Sequence, residues 1–211
     1  MISIDDLERM AQLGRLNLDE DHGLFLGWSE KKFTAMKPGP FRGKIKFMSS
    51  VSATDTTKPD GHEILSMPSC AAACFDWVAA TVDWSVPETA SFLSTVFDCL
   101  KPGGRFVFIR TLNRTGQGFF PLPKGKRASI ANLSNQFESL LSAGFERLSY
   151  VDRSMELKVS LASALTDRPS APGDPHSADT LDWLQTLLAT VDSGDTGQGL
   201  FMGFRPCMIR F

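Results

Sequence analysis

The cysteine and histidine residues are the first candidates for chemistry, because thiolate and imidazole groups bind metals and act as nucleophiles or bases. Cys70 and Cys74 stand one helical turn apart and could share a metal ion with His62. Structural zinc sites, however, usually have closer cysteine pairs and a full set of four ligands. The alanines between the two cysteines favour buried thiols. We therefore predict no metal site.

Motifs for nucleophilic catalysis and phosphate binding are absent from the sequence. There is no Gly-x-Ser-x-Gly elbow and no Gly-x-x-x-x-Gly-Lys-Ser/Thr loop. His22 and His176 are scattered along the sequence, and neither pairs with a nucleophile motif. A basic cluster, Lys124-Gly125-Lys126-Arg127, follows a loop rich in glycine and proline. Lys124, Lys126 and Arg127 are candidates for docking an acidic partner, although a few like charges on such a loop are usually solvated.

Composition excludes several classes of protein. The 211 residues are 42% hydrophobic and 22% charged, which is ordinary for a folded domain, and four cysteines in this length make no disulfide framework. The net charge of −2 supplies no broad field for nucleic acid or anionic lipid. No apolar run approaches the roughly 20 residues of a membrane span, and the N-terminus lacks the apolar stretch of a signal peptide. We expect a cytoplasmic protein that binds neither nucleic acid nor a membrane.

Strand and helix patterns alternate in the middle of the chain. The apolar run 75–82 predicts a buried strand, and Ser85-Val86-Pro87-Glu88 has the spacing of a capping box for a helix over 86–100. The turn 101–104, Lys-Pro-Gly-Gly, predicts the end of that helix, and 105–110 predicts a second buried strand. This order indicates two parallel strands with a right-handed crossover.

The rest of the sequence predicts an α/β domain over residues 23–211, preceded by an N-terminal helix and linker over 1–22. We expect helices over 3–14, 129–143 and 179–191, and strands over 24–28, 44–48, 145–151 and 199–204. Alternating apolar and polar residues over 155–161 predict a strand with one wet face. We expect residues 49–63 to form a loop, and we expect a second loop that includes Lys124–Arg127. Residues 166–178 are expected to form a mobile loop.

Residues 75–110 resemble the later half of a class I methyltransferase domain, the Rossmann-like fold that binds S-adenosylmethionine. Leu-Lys-Pro-Gly-Gly-Arg after an amphipathic helix is frequent in that family. The resemblance implies a sheet with helices on both faces. It also implies that Asp83, which follows the strand at 75–82, faces the substrate; the alternative is a cap or turn residue beside Ser85.

The first half of this fold is reduced in the sequence. The family has a glycine-rich turn after its first strand, whereas Gly27 stands alone here and Ser29-Glu30-Lys31-Lys32 follows. No carboxylate follows the second strand until Asp55. We therefore predict a degenerate site that holds no cofactor. The alternative is a divergent S-adenosylmethionine-dependent methyltransferase, with Gly27 and Glu30 near the cofactor and Asp83 near the substrate.

A methyltransferase-like domain without the glycine turn is similar to the N-terminal domain of the anamorsin family. The resemblance implies a non-catalytic interaction domain in cytosolic iron–sulfur cluster assembly, with a diflavin reductase as partner. It rests on an early strand ending in Trp28, the strand at Phe75, the turn at 101–104, Ser142-Ala143-Gly144-Phe145 and Leu200-Phe201-Met202-Gly203-Phe204. The four cysteines form no Cys-x-x-Cys pair, so we expect any cluster-binding region to lie beyond Phe211 or to be lost.

Overall fold

The chain folds into ten described strands and four described helices. The computed structural model describes residue 12 and residues 21–26, 44–48, 52–54, 63–65, 72–81, 90–115, 119–121, 127–166 and 175–207. The described helices are α1 Ala90–Cys99, α2 Leu133–Ser142, α3 Ser154–Thr166 and α4 Pro175–Asp192. The described strands are β1 His22–Leu26, β2 Lys44–Met48, β3 Ser52–Thr54, β4 Glu63–Leu65, β5 Phe75–Thr81, β6 Leu100–Asn113, β7 Phe119–Pro121, β8 Arg127–Ser129, β9 Glu146–Asp152 and β10 Thr196–Phe204.

The central feature is a six-stranded sheet in the order β2-β1-β5-β6-β10-β9. β1 pairs in parallel with both β2 and β5, and β5 pairs in parallel with β6, as the crossover pattern predicts. β3–β4 and β7–β8 form separate two-stranded antiparallel sheets. The mixed α/β class and the central sheet flanked by helices are therefore confirmed.

The chain divides into two compact units. The first comprises residues 2–110, 137–150 and 200–211, and the second comprises 111–136 and 151–199.

Aromatic side chains fill the core of the first unit. Phe106 stacks on Phe108 with ring centroids 4.7 Å apart, and Phe108 stacks on Phe201 at 5.1 Å. Phe145 lies 5.5 Å from Phe106, and Phe92 of α1 meets the same ring edge-on. These rings bury large apolar areas and therefore contribute to the hydrophobic stabilisation of the unit.

The residues 101–104, which we predicted to form a turn, instead form an irregular, bulged part of β6. Phe75 pairs with Leu100 and Trp77 with Arg105, so Asp76 alone stands opposite four residues of β6. Gly103 has φ +80° and donates its N–H to Arg205 O, while Arg205 N–H donates to Gly104 O. This exchange is that of a glycine bulge between antiparallel strands, so these glycines allow a bulge next to β10 where we predicted a turn before the strand.

The second unit packs α3 and α4 together. Leu161 of α3 and Leu184 and Leu187 of α4 are buried. Lys158 Nζ lies 2.6 Å from Asp192 Oδ1, and Trp183 donates its indole N–H to the carbonyl oxygen of Pro121 in β7.

The prediction of a strand over 155–161 is wrong, because these residues belong to α3. Asp152 Oδ1 accepts hydrogen bonds from Ser154 N (2.9 Å) and Ser154 Oγ (2.6 Å), and Leu157 N–H donates to Arg153 O. These bonds satisfy donors at the helix start. The apolar residues alternate in sequence, but Leu157 and Leu161 are also four residues apart, a spacing that suits a helix.

Other boundaries differ where tertiary pairing extends an element. β3 lies within the predicted loop 49–63, and β8 places Arg127 on a strand within the predicted basic loop. β6 continues to Asn113, past the predicted end at Arg110. α4 begins at Pro175, because proline is tolerated in the first turn of a helix. Apart from residue 12, the predicted helix over 3–14 lies outside the described residues, as do the loop residues 167–174.

Candidate functional site

The sheet has a topological switch point between β1 and β5. From β1 the order continues to β2 on one side, and from β5 it continues to β6 on the other. Leu26 pairs with both Met48 and Ala80, so the carboxyl ends of β1, β2 and β5 are level. In open parallel sheets, ligands bind in the crevice outside the carboxyl ends of the strands at such a point. This edge is therefore the candidate functional site.

The strands that lead to this edge are buried. Leu24 and Phe25 are at most 1% exposed, and the same holds for Val78, Ala79 and Ala80. Continuous apolar runs of this kind form central parallel strands because both faces of the sheet are covered. The strands that end at this edge are therefore covered on both faces.

A close contact at the other end of β1 fixes this strand against β5. The indole ring of Trp77 fills the space that a side chain at Gly23 would take, since a Cβ there would lie 1.9 Å from Trp77 Cζ2. Trp77 is 1% exposed and meets Phe25 edge-on at 5.0 Å, so it anchors the core between these two strands. The sequence analysis missed Gly23, whose only signal is its place in an apolar strand.

Asp76 adds a polar bond to the same pair of strands. Its Oδ2 accepts a hydrogen bond from His22 N–H at 2.9 Å, and Lys101 Nζ lies 2.7 Å from its Oδ1. Burial alone would raise the pKa of Asp76, but the hydrogen bonds from Lys101 and His22, together with their charges, hold it below its usual value. The carboxylate therefore stays ionised at neutral pH and ties the start of β1 to β5.

The candidate residues of the sequence analysis follow the described strands. Gly27 and Glu30 come one and four residues after Leu26, and Asp83 comes two residues after Thr81. All three lie outside the described residues, as do Lys124 and Lys126; Arg127 is described only as part of β8. His62, Cys70 and Trp28 also lie outside the described residues. Their predicted roles stay predictions.

Arg110 is a buried charged residue beside the end of β5 that the sequence analysis did not single out. It is 6% exposed and follows the apolar run Phe106-Val107-Phe108-Ile109 in β6. Its signal in the sequence was a strand that turns from apolar to charged at its carboxyl end. Because burying a charge is costly, such a residue needs a structural or a functional reason.

A second polar cluster, within the second unit, connects the residue after β6 with β9, α3 and β10. Arg114 Nη1 lies 3.1 Å from Asp152 Oδ2 and 3.3 Å from Ser154 Oγ, which in turn accepts a hydrogen bond from Gln198 N–H. Burial alone would raise the pKa of Asp152, but hydrogen bonds from Ser154 and the charge of Arg114 lower it. Gly197 makes room for this cluster, since a Cβ there would lie 2.6 Å from Ser154 Oγ. Its groups satisfy one another, which indicates a structural role.

The described residues offer neither a metal-binding cluster nor a membrane-spanning helix. They contain no group of three or more histidine, cysteine or acidic side chains placed to hold a metal ion. Within the same part of the chain, no helix is long and apolar enough to cross a membrane.

No protein-family profile and no curated protein matches the chain, but solved structures do. A Galdieria sulphuraria protein assigned as a sarcosine dimethylglycine methyltransferase superposes with a TM-score of 0.71 at 14% identity, covering 96% of this chain and 85% of its own. The phosphoethanolamine N-methyltransferase 2 of Haemonchus contortus, solved with phosphomonomethylethanolamine and S-adenosylhomocysteine, gives 0.68 at 14% identity and 98% coverage of this chain. This chain spans about half, 54%, of that enzyme.

A third match is the geranyl diphosphate C-methyltransferase of Streptomyces coelicolor, solved with Mg²⁺, geranyl diphosphate and S-adenosylhomocysteine. Its TM-score is 0.64 at 12% identity, with 95% of this chain and 80% of that chain covered. The fold of this chain is therefore that of the Rossmann-like S-adenosylmethionine-dependent methyltransferases. The finer resemblance to the anamorsin family finds no support in these structures.

Proposed function

We propose that this chain binds S-adenosylmethionine at the edge where β1 and β5 end and transfers its methyl group to a small molecule. The observation that carries the proposal is the switch point with its level strand ends, in a sheet whose structural neighbours were solved with S-adenosylhomocysteine. The neighbours named above act on small molecules, which supports a small methyl acceptor here.

Three residues of the chain are assigned to this site under the proposal. Gly27 allows the backbone after β1 to approach the cofactor, because it has no Cβ. Glu30 supplies a carboxylate near the cofactor, and Asp83 holds the acceptor and takes a proton from it. The bound cofactor supplies an electron-poor methyl group, which an amine, oxygen or carbon nucleophile of the acceptor can take.

Calorimetric titration with S-adenosylhomocysteine tests the binding step. We expect a micromolar Kd for the wild type and at least a tenfold weaker Kd for Gly27→Val, whose side chain occupies the approach of the ligand. Asp98→Ala, which removes an exposed carboxylate on α1, is the matched control and should bind as the wild type does. Absence of binding at millimolar ligand would overturn the proposal.

Transfer of a labelled methyl group from S-adenosylmethionine to a panel of small amines, carboxylates and phosphate esters tests the catalytic step. Asp83→Ala should keep its affinity for S-adenosylhomocysteine and lose at least about a hundredfold in turnover, which is typical for removal of a general base. Unchanged turnover would remove Asp83 from the mechanism.

A second candidate function is a non-catalytic interaction domain of the anamorsin type that docks a diflavin reductase in iron–sulfur assembly. The observation that favours it is the single glycine after β1, followed by Ser29-Glu30-Lys31-Lys32. The same titration separates the two candidates, because the interaction domain needs no adenosyl ligand. Lys124, Lys126 and Arg127 are the residues that would meet the acidic face of such a partner.

A further inference from the structure

Two cysteines are neighbours where β5 begins and α1 ends, within the first unit. Cys74 N–H donates to Cys99 O at 2.9 Å, and the next residues along, Phe75 and Leu100, are paired. Adjacent strands lie about 4.8 Å apart, which falls inside the range of about 4.4–6.8 Å that a disulfide needs between its Cα atoms. Both residues are thiols in the structure. The backbone therefore places the two cysteines close enough for a disulfide.

The end of α1 is held in place from two sides. Ala73 N–H donates to Asp98 O at 2.8 Å, one residue before the bond from Cys74 to Cys99. From the other side, Arg205 Nη1 donates to three carbonyl oxygens around the helix end. The last carbonyl groups of a helix have no partner within the helix, so these donors fix its final turn. Cys99 therefore keeps its place beside Cys74.

The two cysteines differ in exposure. Cys74 is half-buried rather than buried as the sequence predicted, and Ala72 and Ala73 before it are exposed. Cys99 is 1% exposed. An oxidant in solution therefore reaches Cys74 first, and Cys99 stands behind it. Redox-sensitive cysteines are typically accessible and have a second cysteine next to them that resolves the oxidised sulfur.

The turn before Cys74 has an unusual backbone. Ala73 has φ +54°, in the left-handed region that residues with a Cβ adopt rarely. Cys74 Sγ–H donates to Ala72 O at 3.7 Å, which holds the thiol at this turn. A thiolate has no proton for this bond, so deprotonation releases the sulfur to rotate about χ1 toward Cys99.

We propose that Cys74 and Cys99 form a redox-sensitive pair that hydrogen peroxide closes to a disulfide. The Cys74 thiolate attacks one peroxide oxygen, so that an S–O bond forms, the O–O bond breaks and hydroxide leaves. The Cys99 thiolate attacks the resulting sulfenic sulfur, so that the S–S bond forms, the S–O bond breaks and a second hydroxide leaves. The two hydroxides take up the two thiol protons. Two thiols and one peroxide thus give one disulfide and two water molecules.

This pair is independent of the proposed function. It lies at the start of β5, whereas the candidate site lies where β5 ends. The bridge would enclose β5 and most of α1 in one covalent loop, which restricts the unfolded chain.

The experiment treats the folded wild-type protein with a small excess of hydrogen peroxide, blocks the remaining thiols with iodoacetamide and maps peptides by mass spectrometry without reduction. We expect a pair of peptides linked through Cys74 and Cys99, which dithiothreitol separates. A bridge from Cys74 to Cys70 or to Cys207 in its place, or no bridge at all, would overturn the inference.

Single variants test the order of the two steps. Cys207→Ser, which changes an exposed cysteine, is the matched control and should form the bridge as the wild type does. Cys99→Ser should lose the bridge and leave Cys74 as a sulfenic acid that dimedone labels; Cys99→Ala replaces it if the serine variant does not fold. Cys74→Ser should leave Cys99 unlabelled, because that thiol is buried. Labelling of Cys99 with none of Cys74 would contradict the proposed order.

Discussion

Replacement of Gly23 by alanine tests how β1 is held against β5. The added Cβ would lie 1.9 Å from Trp77 Cζ2 and 2.3 Å from both Cε2 and Cη2, where ordinary contacts are 3.4–4 Å. The ring cannot move away freely, because it is 1% exposed and Phe25 meets it at 5.0 Å. Overpacking of a filled core costs about 1–3 kcal/mol and sometimes more.

Because three ring atoms would be involved at once, we expect the free energy of unfolding to fall by about 3 kcal/mol or more. In an open strand the same change would be slightly stabilising, since alanine loses less backbone entropy than glycine. The sign of the effect therefore reports the contact with Trp77. The assay is urea unfolding followed by far-ultraviolet circular dichroism and tryptophan fluorescence.

A second-site variant supplies the control for this prediction. Trp77→Leu removes the ring and should by itself cost about 2–4 kcal/mol as a large-to-small core change. In the double variant the alanine has room, so Gly23→Ala should add little to that cost. A stability of Gly23→Ala within about 0.5 kcal/mol of wild type, or additive effects in the double variant, would refute this account of the contact.

Three further changes test other contacts. Arg205 donates from Nη1 to the carbonyl oxygens of Phe97, Asp98 and Leu100, so Arg205→Ala should cost about 2 kcal/mol in urea unfolding, and Arg205→Lys should recover part of it. Asp76→Asn should cost about 0.5–1 kcal/mol at pH 7 because the ion pair is partly exposed. The pKa of Asp76 is lowered in the folded protein, so its contribution to stability is present above the ordinary value of 3.8 and is lost as the pH falls through the folded value; a difference between variant and wild type that does not shrink as the pH falls below 3.8 would contradict this. Gly194→Ala should cost about 1–2 kcal/mol from its φ of +81° alone, since no atom lies within 4 Å of the new Cβ, whereas Gly194→Asn should recover stability in thermal unfolding.

The sequence predicted the elements whose residues carry their own signal. The apolar run 75–82 gave β5, and the amphipathic stripe that ends near Leu100 gave α1. The order strand, helix, strand predicted that β5 and β6 pair in parallel, because a crossover helix joins parallel strands. The prediction for residues 155–161 was wrong because the spacing of their apolar residues suits a strand and a helix equally. The hydrogen bond from Ser154 N–H to Asp152 Oδ1 at the helix start favours the helix.

The candidate site was likewise predictable from the sequence only in part. Its location at the carboxyl ends of β1 and β5 follows from the strand order, which the sequence analysis predicted only for the pair β5 and β6. The placement of β1 between β2 and β5, and hence the switch point, depends on pairing between residues some fifty positions apart, such as Gly23 with Trp77.

By itself, the sequence determined the class of the fold, the buried strands and the helices with a clear apolar face, because these follow from local periodicity. The tertiary structure decided which strands are neighbours, why Gly23 has no side chain, and that the charge of Arg110 is buried beside the end of β5. The physical reason is that neighbouring strands and the groups buried between them are chosen by packing across the sheet, and no local pattern records that choice.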